Sequence, residues 1–363
     1  MTTTEFLSLN FTTENDTEAH YVSDTFMSPM LKRKAVLHFA TLCVIVLSIV
    51  GMCGNLLTTV ALVKCPRVRS ATAVFIVSLS ISDFLYNAVS FPFSASDYIL
   101  QKWIYGDALC VFYPFTQYLN GGLSLLFVTA IAINRYVLIA HQGLYEKIYQ
   151  KRNIAMMIVG ICLFAFIMLL PTLIGAWGRF GYDKNILTCT ILEVDGRSSK
   201  AFLFIFGFVI PCITIVVCYA RIFCVVKKSS SRIKMYKTVE TKEKKSARDS
   251  KRREEEWRVT RMVLIIFCCF LICYLPNTIV KVIDKQNKYP VLHILVYILI
   301  YASASINPII YGVTNKQYRQ AYKTVLMCRR PRRPSFSSTP NEHPANKSST
   351  SQCLKEDSVV VQA

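Results

Sequence analysis

The segment AIAINRYVLIAH, residues 130–141, carries Arg135 where an apolar helix would otherwise continue. A charged side chain in such surroundings is costly unless its charge is paired or used. Its neighbour Asn134 is neutral, so the adjacent position supplies no carboxylate. Asp83, in SLSISDFLY, raises the same question with the opposite sign and has no basic residue nearby in sequence. Its expected neighbours Asn55, Asn120, Ser124, Ser303 and Asn307 all carry neutral oxygens. Asn120 and Ser124 are four residues apart and therefore share one helix face. A carboxylate amid neutral oxygens suits a small hard cation such as sodium, with Asp83 and Ser124 as its first ligands. The alternative is a hydrogen-bonded Asp that only fixes packing. A third group is FLICYLP, Phe270–Pro276, where Phe270 and Tyr274 form a bulky face ahead of Pro276. A proline there removes a backbone hydrogen bond and provides a hinge.

These residues are carried by long apolar elements. The chain has 363 residues, 53% of them hydrophobic, and a mean hydropathy of +0.37, too apolar for an ordinary soluble enzyme. Apolar blocks lie near Ala35–Val63, Ala71–Tyr98, Leu109–Ala140, Ile154–Ala176, Ala201–Val226, Val259–Ile283 and Val291–Val313. Each reaches the roughly 20 residues that a helix needs to cross a bilayer. Helices are expected because backbone groups in lipid must be satisfied within the segment. The expected fold is an all-α membrane protein, a seven-transmembrane helix bundle. A short amphipathic surface helix follows over 314–328, where Tyr318, Tyr322, Val325 and Leu326 recur at helical spacing opposite Lys316, Arg319 and Lys323. Cys328 at its end is a candidate for palmitoylation or an ordinary free thiol.

The net charge of +20 does not indicate a nucleic-acid partner, because the basic residues gather in alternate loops. They include Lys64, Arg67 and Arg69; Lys147, Lys151 and Arg152; the stretch Lys227–Arg258; and Arg329–Arg333. That alternation places the N-terminus outside and the C-terminus in the cytosol. Lys32, Arg33 and Lys34 oppose it locally. The polar segment 1–34 has no pattern of a cleaved signal peptide, so the first span is expected to direct insertion. It carries glycosylation sequons at Asn10 and Asn15. The receptor domain is expected over 35–313 and a disordered Ser/Thr-rich cytoplasmic tail over 329–363. Of the 14 cysteines, most lie within apolar blocks and behave as small hydrophobes. Cys110 and Cys189 differ in lying on the oxidising side, and they are expected to pair.

Length arithmetic relates the inner residues. Arg135 follows Cys110 by 25 residues, about 37 Å of helix, which spans outer edge to inner edge. Glu256 precedes Pro276 by 20 residues, about 30 Å, and so also reaches the inner edge. An Arg135–Glu256 pair across the third and sixth spans is therefore expected to close the inner mouth at rest.

In combination these motifs resemble the rhodopsin-like class of G-protein-coupled receptors over nearly the whole range from Ala35 to Cys328. Gly54-Asn55 resembles the first-span signature, SLSISD the second, and Cys110 with Cys189 the outer disulfide. Asn134-Arg135-Tyr136 resembles the acidic-Arg-Tyr triplet; Pro211 and Tyr219 match the fifth span, Phe270–Pro276 the sixth and Asn307–Tyr311 the seventh. Within the class, WGRFGYD and INRYVLIAH are similar to the insect group containing moody and trapped in endoderm. The medium-chain fatty acid and melatonin receptors are more distant. The resemblance implies a plasma-membrane receptor with an extracellular ligand and a heterotrimeric G protein of inhibitory type. It further implies roles in cell polarity, migration or epithelial barriers, with receptor kinases and arrestin as partners of the tail. The alternative within the class is a receptor for a lipid, a fatty acid or a melatonin-like ligand. It assigns Arg135, Glu256, Tyr219 and Tyr311 to the inner lock and Phe270, Tyr274, Pro276, Asn307 and Pro308 to the switch. Three positions depart from the class: Asn134 for the acid, Tyr274 for a tryptophan, and Ile161-Cys162 where a fourth-span tryptophan is usual.

The ligand end is less defined. Gln117 stands where amine receptors carry an anchoring aspartate, so a small cationic amine is disfavoured. Lys281, His293, Arg197 and Lys200 lie near the outer mouth, either to attract an anionic or lipid-like ligand or as solvated loop charges. Tyr118, Asn277, Tyr297 and Tyr301 complete the expected pocket. No cofactor and no enzymatic activity are expected: the seventh block lacks a lysine for a retinal Schiff base, and His38 and His293 have no evident nucleophile partner.

Overall fold

The computed structural model describes residues 29–65, 70–184, 188–236, 243–284 and 289–328. Asn10, Asn15, the segment 329–363, and Arg67 and Arg69 lie outside these ranges. The helices are α1 (Pro29–Lys64), α2 (Ala71–Leu100), α3 (Gly106–Ala140), α4 (Gln142–Ile148) and α5 (Lys151–Leu173), then α6 (Lys200–Phe204) and α7 (Ile210–Tyr236). They continue with α8 (Glu243–Ile283), α9 (Pro290–Thr314) and α10 (Lys316–Leu326). Among the described residues, seven helical stretches are long and apolar enough to cross a membrane, and α6 and α7 together with the turn between them form one of these.

Burial divides the spans into inner and peripheral ones. In their most apolar windows, α9 is 61% and α3 56% buried, whereas α5 is 22% and the α6–α7 span 17% buried. The exposed residues of the peripheral spans are themselves apolar, as with Val159, Leu163 and Ile167 on α5 and Ile213, Val216 and Val217 on α7. Such surfaces are matched to hydrocarbon rather than water. The main core is built by Phe75, Ile76, Leu125, Phe127, Ile131 and Ile215, which interdigitate between α2, α3 and α7.

Helices come close together where side chains are small. A Cβ at Gly51 would come within 2.1 Å of Asn87 Oδ1 and 2.7 Å of Ser305 Oγ, so α1 reaches α2 and α9 only through a glycine. Gly54 faces Pro308 in the same way, at 2.9 Å. Asn55 then spans the contact, donating to the carbonyls of Gly51 and Ala304, both at 2.9 Å.

Prolines lie within several spans. Pro211 has no N–H, and the residues just before it form a π turn, Ile205–Val209, in which Ile210 N donates to Ile205 O. Pro276 and Pro308 lie inside α8 and α9, and Pro92 and Pro114 inside α2 and α3.

One element was not anticipated from the sequence. Between α5 and α6 the chain forms an antiparallel hairpin, β1 (Arg179–Asp183) with β2 (Thr188–Leu192), in which Tyr182 pairs with Cys189 and Phe180 with Ile191. Phe180 and Ile191 are buried, so the hairpin has an apolar face turned into the bundle. After α9, Asn315 caps α10 by accepting from Gln317 N at 2.9 Å. The face that α10 turns inward is Tyr318, Ala321, Tyr322 and Val325; Leu326, expected on that face, is exposed.

Gly51→Ala is expected to destabilise the bundle by about 1–3 kcal/mol through overpacking. Thermal unfolding in detergent reads it, and an unchanged midpoint would mean that the helices separate without cost.

Candidate functional site

At one end of the bundle, α3 places Arg135 and Asn134 side by side, both almost fully buried. Arg135 Nη2 donates to Thr72 Oγ1 in a short contact and to Asn134 Oδ1 at 3.3 Å. Thr72, at the start of α2, donates in turn to the same Asn134 oxygen at 2.7 Å. The arginine therefore sits in a cage of neutral acceptors. Glu256 on α8 contributes to the electrostatic surroundings of Arg135. Tyr219 on α7 reaches across to α8, donating to the Thr260 carbonyl at 3.0 Å, and Thr260 donates to the Glu256 carbonyl at 3.0 Å. Tyr311 is fully buried beside Tyr318, and its hydroxyl has no partner among the described residues. Tyr136 points elsewhere, its ring against His141. Beyond α3, burial pushes the phenol of Tyr149 up to about 12, partly offset by its interaction with Asn134.

Midway along the bundle, Asp83 has no exposure. Its Oδ1 accepts from Ser124 at 3.1 Å and its Oδ2 from Asn307 Nδ2 at 2.9 Å, so one carboxylate joins α2, α3 and α9. Asn120, one turn from Ser124, accepts from Ser82 at 2.9 Å. Asn55, expected beside Asp83, spends its amide nitrogen on α1 and α9 carbonyls instead. Ser303 donates to its own helix at Ile300 O and, with Ser124 and Asn307, lines a small cavity that also meets Phe270. The Asp83 carboxylate, the Ser124 hydroxyl and the Asn120 carbonyl form an oxygen-only set next to that cavity, which fits a small hard cation.

The hinge residues connect this centre to the other end. Phe270 and Tyr274 stack with centroids 4.1 Å apart, Phe270 also meets Phe208 of the π turn, and Tyr274 packs below Gly121 of α3. Above them a cavity of about 620 Å³, counting its open part, is lined by residues including Leu37, Asp97, Gln117, His293, Tyr297 and Tyr301. This end also holds the disulfide between Cys110 and Cys189, which ties the hairpin to the start of α3. Tyr118, Asn277 and Lys281 are not among the lining residues. Lys281 instead lies over the rings of Tyr118 and Tyr297, at 5.9 and 5.2 Å, so it is held by aromatic faces rather than presented as a loop charge. His293 shares a hydrogen bond of 3.1 Å with Asp284 in a buried pair. Asp97, which the sequence reading passed over, is buried in the cavity wall; its position near the end of a span gave it the appearance of an ordinary interfacial charge.

Comparison with known proteins bears on this arrangement. A family model described as 7 transmembrane receptor (rhodopsin family) matches residues 54–311. The G-protein coupled receptor moody of Drosophila melanogaster is 44% identical over 348 residues, covering 81% of this chain and 52% of that protein. Protein trapped in endoderm-1 of the same organism is 37% identical, covering 79% of this chain and 77% of its own. The chain thus spans about half the length of its moody relative. The crystal structure of squid rhodopsin is similar with a TM-score of 0.72 at 26% identity, covering 81% of this chain and 87% of that one.

If the Thr72–Asn134 bond holds Arg135 in place, Thr72→Val and Asn134→Ala should be non-additive in a double-mutant cycle of thermal stability, by about 0.5 kcal/mol or more. Strict additivity would show that the bond contributes nothing.

Proposed function

Because the chain belongs to the rhodopsin family of seven-transmembrane receptors, we propose that it is a plasma-membrane receptor activating a heterotrimeric G protein on binding an extracellular ligand. The carrying observation is the alignment of three sites along one bundle: an open cavity beside the disulfide, the Phe270–Tyr274 stack below it, and a caged Arg135 at the opposite end. The disulfide end faces outward and the arginine end the cytosol, in keeping with the basic loops at the latter.

In this reading, ligand binding shifts a two-state population by its differential affinity for the two states. The stack at Phe270 and Tyr274 relaxes at Pro276, and the cytosolic half of α8 swings away. That motion breaks the Tyr219–Thr260 contact and separates Glu256 from Arg135. Arg135 then faces the α-subunit of the G protein, with Tyr219 and Tyr311 supporting the open cavity. A carboxylate at position 134 would hold Arg135 through an ion pair, stronger than the bond to a neutral amide oxygen found here. Asn134 therefore places more of the restraint on Glu256.

The likeness to the G-protein coupled receptor moody supports coupling to a G protein; an inhibitory-type G protein and roles in cell polarity, migration or epithelial barriers are what the motif resemblance implies. The Ser/Thr-rich segment 329–363 suits receptor kinases and arrestin, and α10 with Cys328 suits the inner leaflet. When bound, a sodium ion would neutralise Asp83 and favour the resting packing of α2, α3 and α9; Asp83, Asn120, Ser124, Ser303 and Asn307 would hold it.

Arg135→Ala is expected to abolish G-protein dissociation in cells without loss of surface expression, and Glu256→Ala to raise ligand-free dissociation several-fold. Intact signalling in the first, or unchanged basal output in the second, would remove that residue from the lock. For the cation, the unfolding midpoint of the wild type should be higher in sodium chloride than in choline chloride, and Asp83→Asn should erase the difference. An equal salt response in both proteins would exclude this site.

A further inference from the structure

We propose that the cavity at the disulfide end takes a ligand bearing a cationic hydrogen-bond donor, a protonated amine or a guanidinium, and that Asp97 is its anchor. This deepens the receptor reading and rests on it for the consequence of binding. Asp97 is 4% exposed and lines the cavity. Its Oδ2 accepts from Thr188 of the hairpin at 2.9 Å, whereas its buried Oδ1 has no partner among the described residues.

Several other polar groups around it are already engaged. Ser94 bonds to Tyr113 at 2.8 Å and to the Ser90 carbonyl, Tyr113 lies 3.3 Å from Tyr301, and His293 is occupied by Asp284. Gln101 and Gln117 also line the cavity, and Asp97 is the acidic residue of this wall. A buried acceptor left unmade carries a desolvation penalty, and a charge-assisted bond removes it.

The sign of the ligand follows from the surroundings. No lysine or arginine lines the cavity among the described residues, and the nearby Lys281 is held over Tyr118 and Tyr297. Tyr98, Tyr113 and Tyr301 also line the cavity, and tyrosine rings favour a cation electrostatically. A carboxylate ligand would instead meet Asp97 as a like charge. The anchor lies on α2 rather than at Gln117 of α3, so the cation docks toward α2 and α9.

The test uses the purified full-length chain in detergent and four matched probes: 4-phenylbutylamine, 4-phenylbutylguanidine, 4-phenylbutanol and 4-phenylbutyrate. Both cations are expected to raise the unfolding midpoint saturably, the alcohol and the anion not. Asp97→Asn keeps the side chain's shape and its acceptor for Thr188, and should weaken the response to the cations at least tenfold. No response to either cation, an equal response to the alcohol, a preference for the anion, or full retention in Asp97→Asn each overturns the proposal. The wild-type comparison decides alone if the variant does not fold. Unfolding is read without a G protein, so a failure here is distinguishable from a failure of coupling.

Discussion

A bundle in hydrocarbon has no water with which to satisfy a polar group, and Asp83 shows how the fold answers that constraint. Its carboxylate is wholly buried, and its two oxygens are satisfied from two different helices, by Ser124 of α3 and Asn307 of α9. Remove either donor and a charge-bearing group is left short of partners in a medium that penalises it heavily. The mutual positions of α2, α3 and α9 are thus set by hydrogen-bond geometry as well as by apolar packing. Gly51 and Asn55 extend the same logic to α1, where backbone carbonyls become the partners.

The two ends of the bundle use polar groups differently. Around Arg135 the acceptors are neutral, and one oxygen, Asn134 Oδ1, serves both the arginine and Thr72. Sharing an acceptor is weaker than a dedicated ion pair, which suits a group that must change partners. At the disulfide end the residues cross-link strongly, through Cys110–Cys189, the Asp97–Thr188 bond and a cluster of tyrosines. A rigid frame around an open cavity favours selective binding, because little is ordered anew when a ligand enters.

The sequence was most readable where the membrane imposed a simple rule. Apolar length located the spans, the charge bias located the basic loops, and costly polar residues such as Asp83 and Arg135 announced themselves. Reading failed where tertiary neighbours decide the outcome. Lys281 looked like a mouth charge until two tyrosines from other helices were found beside it. The hairpin was missed because Arg179–Asp183 and Thr188–Leu192 are short and mixed, and acquire an apolar face only against the bundle. Depth alone places Asn55 near Asp83, whereas its amide nitrogen bonds to the Gly51 and Ala304 carbonyls. Asp97 carries no local signal at all, since its lone oxygen is a property of its surroundings.

The π turn at Ile205–Val209 gives the fifth span two phases rather than one. An inserted residue advances the helical wheel by about 100°, so the stripe facing the bundle before the turn does not continue along the same wheel after it. Phe208 and Tyr219 are eleven residues apart, close to three full turns, so both face α8, at Phe270 and at the Thr260 carbonyl. The wider turn separates that shared face from the bearing of α6, whose Phe202 meets Trp177 instead.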